Sequence, residues 1–311
     1  MLTRVRTFVA IGTLLLAAAS AASAKGPALS DIFDRPAELT SLRGPTICIL
    51  DIQHPDLILK QVADKPDQKY GGHRTRSRVK EITGLPCLLV HFTEVRPQQL
   101  EQPNVKAILI TGRSKTLSKE LDRQFYPLIR TTRIPIFGFC GGMQMIGQAF
   151  STKVGPLRKL HEGEKDPNPK YHPGMFKEWG FMPVKVTDRD PLFQGLPDEV
   201  LVREAHAFQM LDLPREFALL ASTAECRVQA IKHKERLLYG TQFHPEAYDD
   251  AHPQGRAILQ NFFRTVGLTT AGDQSSTQTF GPHRGQGRAV SRCLTGLVAT
   301  ANGSLKGPAC F

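Results

Sequence analysis

The chain has 311 residues, of which 41% are hydrophobic and 22% charged, an ordinary balance for a globular protein built on one sizeable α/β core. A net charge of +11 raises nucleic acid as a partner. The basic residues are scattered through 73–80, 158–170 and the C-terminal stretch, without interleaved aromatics or a recognisable nucleic-acid module. Nucleic-acid binding is therefore not expected, and a solvated basic surface suited to an anionic membrane or cell wall is the better reading.

The first element is a leader. Arg4 and Arg6 precede an apolar run over 8–22, which closes on Ala22-Ser23-Ala24 ahead of Lys25. A basic start, an apolar stretch and a small-residue end describe a secretory signal peptide over 1–24, and so an exported protein, periplasmic or secreted. The alternative is an uncleaved anchor, since 7–24 is just long enough to span; no later segment reaches that length, so no span is expected in the mature chain. A lead over 25–45 follows.

From residue 46 the pattern alternates. The continuous apolar run 46–52 suits a strand buried on both faces of a parallel sheet. Residues 56–63 have amphipathic helical spacing, which the basic stretch after Gly71 interrupts. Strands are expected at 87–92, 106–111 and 136–139, and helices at 118–131 and 141–150. Residues 151–180 are polar and turn-rich, and Pro167, Pro169 and Pro173 argue for an irregular loop rimming the site. His161, Glu162, Glu164, Tyr171 and His172 cluster there at a spacing that matches no zinc signature, so no metal is expected. Strands at 182–186 and 201–207 lead toward a last strand before His244. The expected architecture is a doubly wound, mostly parallel α/β sheet with its site at the strand C-terminal ends, over 46–267. Residues 268–311, rich in Gly, Ser, Thr and Gln, read as a disordered tail.

Chemistry concentrates in two segments. In Gly138-Phe139-Cys140-Gly141-Gly142 an apolar strand delivers a cysteine between glycines and a helix follows, the pattern of a nucleophile elbow. The helix N-terminus favours the thiolate, which is the form that attacks a carbonyl. Gly240-Thr241-Gln242-Phe243-His244-Pro245-Glu246 supplies a base, His244, and an acidic partner two residues on. In extended backbone the two share a face, so Glu246 could fix the imidazole tautomer while His244 moves the proton. A lone cysteine ending a strand is commonly a small buried hydrophobe, and a lone His-Pro-Glu is commonly a loop. Their joint occurrence in this order favours a Cys-His-Glu triad.

Both segments resemble the signatures of class I glutamine amidotransferases. Ala221-Ser222-Thr223-Ala224-Glu225-Cys226, Gln229-Ala230-Ile231 and 255–263 are similar to the glutaminase domain of GMP synthases. The γ-glutamyl hydrolases are related. The resemblance implies Cys140 as nucleophile, His244 as base and Glu246 as its partner, with no cofactor. It also implies backbone oxyanion donors at Arg113 and Gly141, a pocket glutamine at Gln144, and a place for Ala205-His206 where the family has a Ser-His pair. The family's Ser-Gly-Gly-Pro oxyanion loop stands here as Thr111-Gly112-Arg113-Ser114. Arg113 could narrow the site, recognise a carboxylate, or point to solvent.

The chain has no Gly-rich phosphate loop and no room for an ATP-using synthetase domain. Export and that absence favour free hydrolysis of the γ-amide of glutamine or a γ-glutamyl compound through a Cys140 thioester. The alternatives are a glutaminase subunit delivering ammonia to an unidentified partner, and a non-catalytic binding member of the family. Cys48 and Cys87 fall in neighbouring expected strands, Cys226 has no obvious partner, and Cys293 and Cys310 could bridge each other in the tail.

Overall fold

A computed structural model describes residues 27–269. The leader and the tail beyond 269, with Cys293 and Cys310, lie outside them. A nine-stranded sheet runs in the order β2-β1-β3-β4-β11-β10-β9-β6-β7. Its parallel half comprises β1 (Thr46–Asp51), β2 (Cys87–His91), β3 (Val105–Ile110), β4 (Ile136–Phe139) and β11 (Leu238–Thr241). The remaining strands, β10 (Ala230–His233), β9 (Phe217–Ser222), β6 (Glu178–Val186) and β7 (Glu199–His206), are antiparallel neighbours. A separate ribbon pairs β5 (Val154–Pro156) with β8 (Phe208–Met210).

Both faces of the parallel half are covered, which is why its strands read as unbroken apolar runs. Along β1, Ile47 and Ile49 join the core that holds Phe137, Phe139, Tyr239, Phe262 and Phe263. Cys48 and Leu50 join the opposite core with Phe125, Ile129, Met143 and Ile146. The first core lies under α5 (Gln254–Thr265) with α1 (Pro55–Asp64) and α2 (Gly71–Thr83); the second lies under α3 (Lys119–Thr131) and α4 (Gly141–Ala149).

The basic stretch after Gly71 does not interrupt the unit; it is α2. Its buried stripe, Gly72, Thr75, Val79 and Ile82, has helical spacing. That stripe is weakly apolar and sits among four cations, so it is hard to see in the sequence. Two of the cations are engaged: Arg76 makes two bonds to the Asp34 carboxylate at 3.1 and 2.9 Å, and Arg78 donates to the carbonyls of Glu246 and Tyr248 while lying over the Tyr248 ring. The lead is packed as well. Ile32 and Phe33, which follow a short 3-10 turn, and Leu39, within a second, are buried, and Asp34 accepts from Leu89 N at 2.7 Å.

Cys48 faces Leu88 across the ladder and Cys87 faces Ile47, so the two thiols project from opposite faces of adjacent strands. Cys48, Cys87, Cys140 and Cys226 are all free. Among the described residues no helix is long and apolar enough to cross a membrane.

Candidate active site

Strands β4 and β11 run side by side, with Phe139 opposite Thr241. The chain leaves both at the same end of the sheet, so Cys140 and the 242–246 segment emerge together. Cys140 adopts φ 48° and ψ −106° at the N-cap of α4. That backbone conformation is strained for a residue with a Cβ, and strain of this kind clusters at functional sites. The turn is held by Cys140 N donating to Thr241 O at 2.7 Å and by Gln144 N donating to Cys140 O at 3.0 Å.

His244 and Glu246 meet at 2.7 Å between Nδ1 and Oε1, and Cys140 lies beside the imidazole. Burial opposes charging His244, but the Glu246 carboxylate and the neighbouring Cys140 outweigh it and raise its pKa well above the ordinary value. Gln242 Nε2 donates to Cys140 Sγ at 3.4 Å. Gly112 abuts the imidazole: a Cβ there would lie 2.7 Å from His244 Cε1. Cys140, His244, Glu246 and Gly112 are thus brought together.

Arg113 lines the cleft but does not point to solvent. Its guanidinium makes two bonds of 2.7 Å to the carboxylate of Asp122, in the first turn of α3. The two side chains are only 7% and 2% exposed. The planar fork of arginine matches a carboxylate at both oxygens, which is why the guanidinium is held out of solvent. Its main chain stays at the site: a Cβ on Gly141 would lie 2.9 Å from Arg113 N. Neither the Arg113 nor the Gly141 N–H is spent on another acceptor among the described residues. Gln53 and Ser114 also line the cleft: Gln53 Oε1 accepts from Ser114 N at 3.1 Å, and Gln53 Nε2 donates to Ser114 Oγ at 3.2 Å.

Gln144 donates from Nε2 to Phe208 O and to Gln242 Oε1, each at 3.1 Å, and so connects α4 to the thiol's neighbour. His206 is placed differently. It is 1% exposed, with Nδ1 2.9 Å from Phe208 O and Nε2 2.9 Å from Glu178 Oε2 and 3.1 Å from Glu204 Oε2. Burial works against its charged form, yet Glu204 and then Glu178 raise its pKa to about 10. Burial raises the pKa of Glu204. Glu178, His206 and Cys226 have donor atoms within 4.8 Å of one another, a spacing open to a metal. The Glu178 oxygens, however, already accept from Thr223 Oγ1 at 2.5 Å and Gln229 Nε2 at 2.6 Å, so the cluster reads as a buried ion network.

The loop before β6 reaches the site through Tyr171, whose hydroxyl pKa is pushed well up, first by burial and then by the Cys140 charge. Its ring packs on His172 at 4.4 Å and Trp179 at 6.0 Å. A cleft of about 140 Å³ runs over Cys140, His244 and Glu246, past Gly112 and Ala205, to Asp51, Tyr70 and Thr75. Asp51 accepts from Tyr70 OH at 2.9 Å, and burial raises its carboxyl to about 6. Gln242 stood inside the His244 motif and could have been singled out there. Gln53, Asp122, Glu178 and Glu204 carry no local signal, because their partners come from other elements.

A cysteine on a strand–helix elbow, facing a His–Glu pair from the neighbouring parallel strand of a mixed α/β sheet, is an arrangement that suits thiol-dependent acyl transfer. A family model described as glutamine amidotransferase class-I matches residues 74–266, and the chain belongs to that family. It is 31% identical over 192 residues to a glutamine-hydrolyzing GMP synthase of Syntrophomonas wolfei, covering 61% of this chain but 34% of that protein. It is 30% identical to a glutamine-hydrolyzing GMP synthase subunit of Methanococcus vannielii, covering 63% of this chain and 92% of that one. The crystal structure of a Thermoplasma acidophilum protein, provisionally described as a GMP synthase subunit, superposes with a TM-score of 0.55 at 25% identity, covering 73% of this chain and 96% of that one.

Proposed function

We propose that the chain hydrolyses the side-chain amide of glutamine through a Cys140 thioester and passes the ammonia to a separate partner. The observation that carries the chemistry is Cys140 on its strained elbow beside an imidazole, His244, that is hydrogen-bonded to Glu246. His244 takes the thiol proton, and the thiolate attacks the amide carbon. The oxygen, now anionic, lies between the Arg113 and Gly141 N–H groups. Collapse expels ammonia, which receives its proton from His244, and leaves the glutamyl thioester. His244 then deprotonates a water that attacks the thioester, releasing glutamate and regenerating Cys140. Glu246 holds the imidazole and stabilises its cation throughout.

The relatives support the partner: the Methanococcus protein is named as one subunit of its enzyme. The test is glutamate and ammonia release by purified protein beside Cys140→Ala, under reducing conditions, alone and with candidate ATP-dependent synthetases. Release from glutamine that needs Cys140 and rises with a synthetase is the expected result. Cys140-independent release would end the proposal, and binding of glutamine without turnover by wild type would favour a non-catalytic role.

A second reading, a stand-alone hydrolase of N-substituted γ-glutamyl amides, is favoured by one observation. The cleft continues beyond His244 to Asp51 and Tyr70, both outside the residues matched by the family model. A panel of γ-glutamyl amides in the same assay separates the two. Export is likewise a proposal, resting on Arg4, Arg6 and the 8–24 run. The N-terminal sequence of protein recovered from cell fractions tests it; an intact Met1 in the cytoplasmic fraction would refute it.

A further inference from the structure

The oxyanion loop of this chain lacks the proline and second glycine of the family pattern it otherwise resembles, so something else must order it. Two clasps do so, one on each side of the candidate donor. The Arg113 guanidinium is bound at both ends by Asp122, and Asp122 sits in a helical turn whose start is capped by the Ser118 hydroxyl, which accepts from Glu120 N and Leu121 N at 3.2 Å each. One residue on, Ser114 is gripped at both its N–H and its hydroxyl by Gln53, from the loop after β1. Between the clasps the Arg113 main chain lies against Gly141, at the head of α4.

Net stability does not explain the inner clasp. Replacing both partners of a buried ion pair by apolar residues of similar volume is commonly neutral, whereas removing one partner is strongly destabilising. What such a pair does supply is a fixed geometry, and displacement of a catalytic donor by about 1 Å can lower a rate roughly 100-fold. We propose that Asp122 and Gln53 are positioning residues, which hold the 112–114 loop so that the Arg113 N–H stays aimed at the oxygen of the scissile amide. The proposal rests on the glutaminase reading above and names how this chain orders its oxyanion site without the family's proline.

The deciding experiment compares Asp122→Asn with the double variant Arg113→Met/Asp122→Leu, and both with Gln53→Ala. Asp122→Asn strands a buried guanidinium and loses both Tm and kcat. The double variant removes both charges, so its Tm returns to near that of wild type. Its kcat stays about 10- to 100-fold low, with KM changed by less than about threefold, because the donor is no longer aimed. Gln53→Ala shows the same split at about tenfold. The pH profile of kcat keeps its shape, since the triad is untouched. Recovery of kcat together with Tm in the double variant would overturn the proposal. Amide hydrogen exchange at 112–114 gives a readout independent of turnover. If wild type fails to hydrolyse glutamine, the glutaminase reading falls, while faster exchange in the double variant still supports the clasp and unchanged exchange refutes it.

Discussion

Two histidines, His206 buried and His244 half-buried, share the electrostatic field of Cys140 and differ in what surrounds them. His244 leaves the parallel half of the sheet with one carboxylate partner, Glu246, and its imidazole opens on the cleft. His206 ends β7 in the antiparallel half, walled in by Glu178 and Glu204, and its ring does not line the cleft. With one carboxylate, the ring keeps its second nitrogen uncommitted to another carboxylate, as the proposed proton transfer requires. With two, the imidazolium is locked by charge on one side and by the Phe208 carbonyl on the other. A His–Glu contact is therefore not a catalytic mark in itself; the free ring nitrogen is.

The comparison can be broken most sharply at Glu246. Glu246→Gln should lower kcat by about 1,000-fold, as expected when the partner that fixes a catalytic imidazole is neutralised, while circular dichroism stays native. An effect under tenfold would make His244 no different in kind from His206. Gly112→Ala comes next. Its Cβ would press on His244 Cε1, and a displaced imidazole should reduce kcat about 100-fold, with crystallography of the variant showing the ring moved. His206→Gln should act on stability instead. Leaving two glutamates buried without their cation should destabilise the fold by about 3 kcal/mol, read by urea denaturation, and change kcat by less than tenfold.

The smallest effect is the pH dependence. Folding raises His206 from an ordinary value near 6.5 to about 10, so its imidazolium favours the folded state. That contribution is complete below about pH 6.5 and is lost as pH rises through about 10. Ionising Glu204, whose pKa is also raised, disfavours the folded state in the same direction. Wild type should lose Tm between pH 7 and 10, and His206→Gln should lose less of it. Parallel melting curves for the two proteins across that range would sink this account of the cluster.

Much of the candidate site was legible in the sequence, for local reasons. An apolar strand, a cysteine between glycines and a helical pattern announce an elbow within ten residues, and His244 and Glu246 are two apart. Features that depend on distant partners were hidden. Helix α2 hides because its stripe is built partly from Gly72 and Thr75 and is ringed by cations. The buried lead has no period to read, since 3-10 turns of three to six residues do not repeat. The fate of Arg113 depends on Asp122 lying across a packed helix. His206 and its glutamates are assembled from β6 and β7, and nothing near residue 206 reveals Glu178.

The pairing of β4 with β11 also governs when the chain becomes reactive. Phe139 and Thr241 are neighbours in space but belong to segments about a hundred residues apart in the chain. Closing so long a loop is entropically unfavourable until other contacts compensate, and contacts of this range slow folding. Until that parallel pair zips, Cys140 is not held beside His244 and lacks its strained turn. If the proposed glutaminase mechanism holds, turnover during refolding should appear late, after helical circular dichroism has recovered.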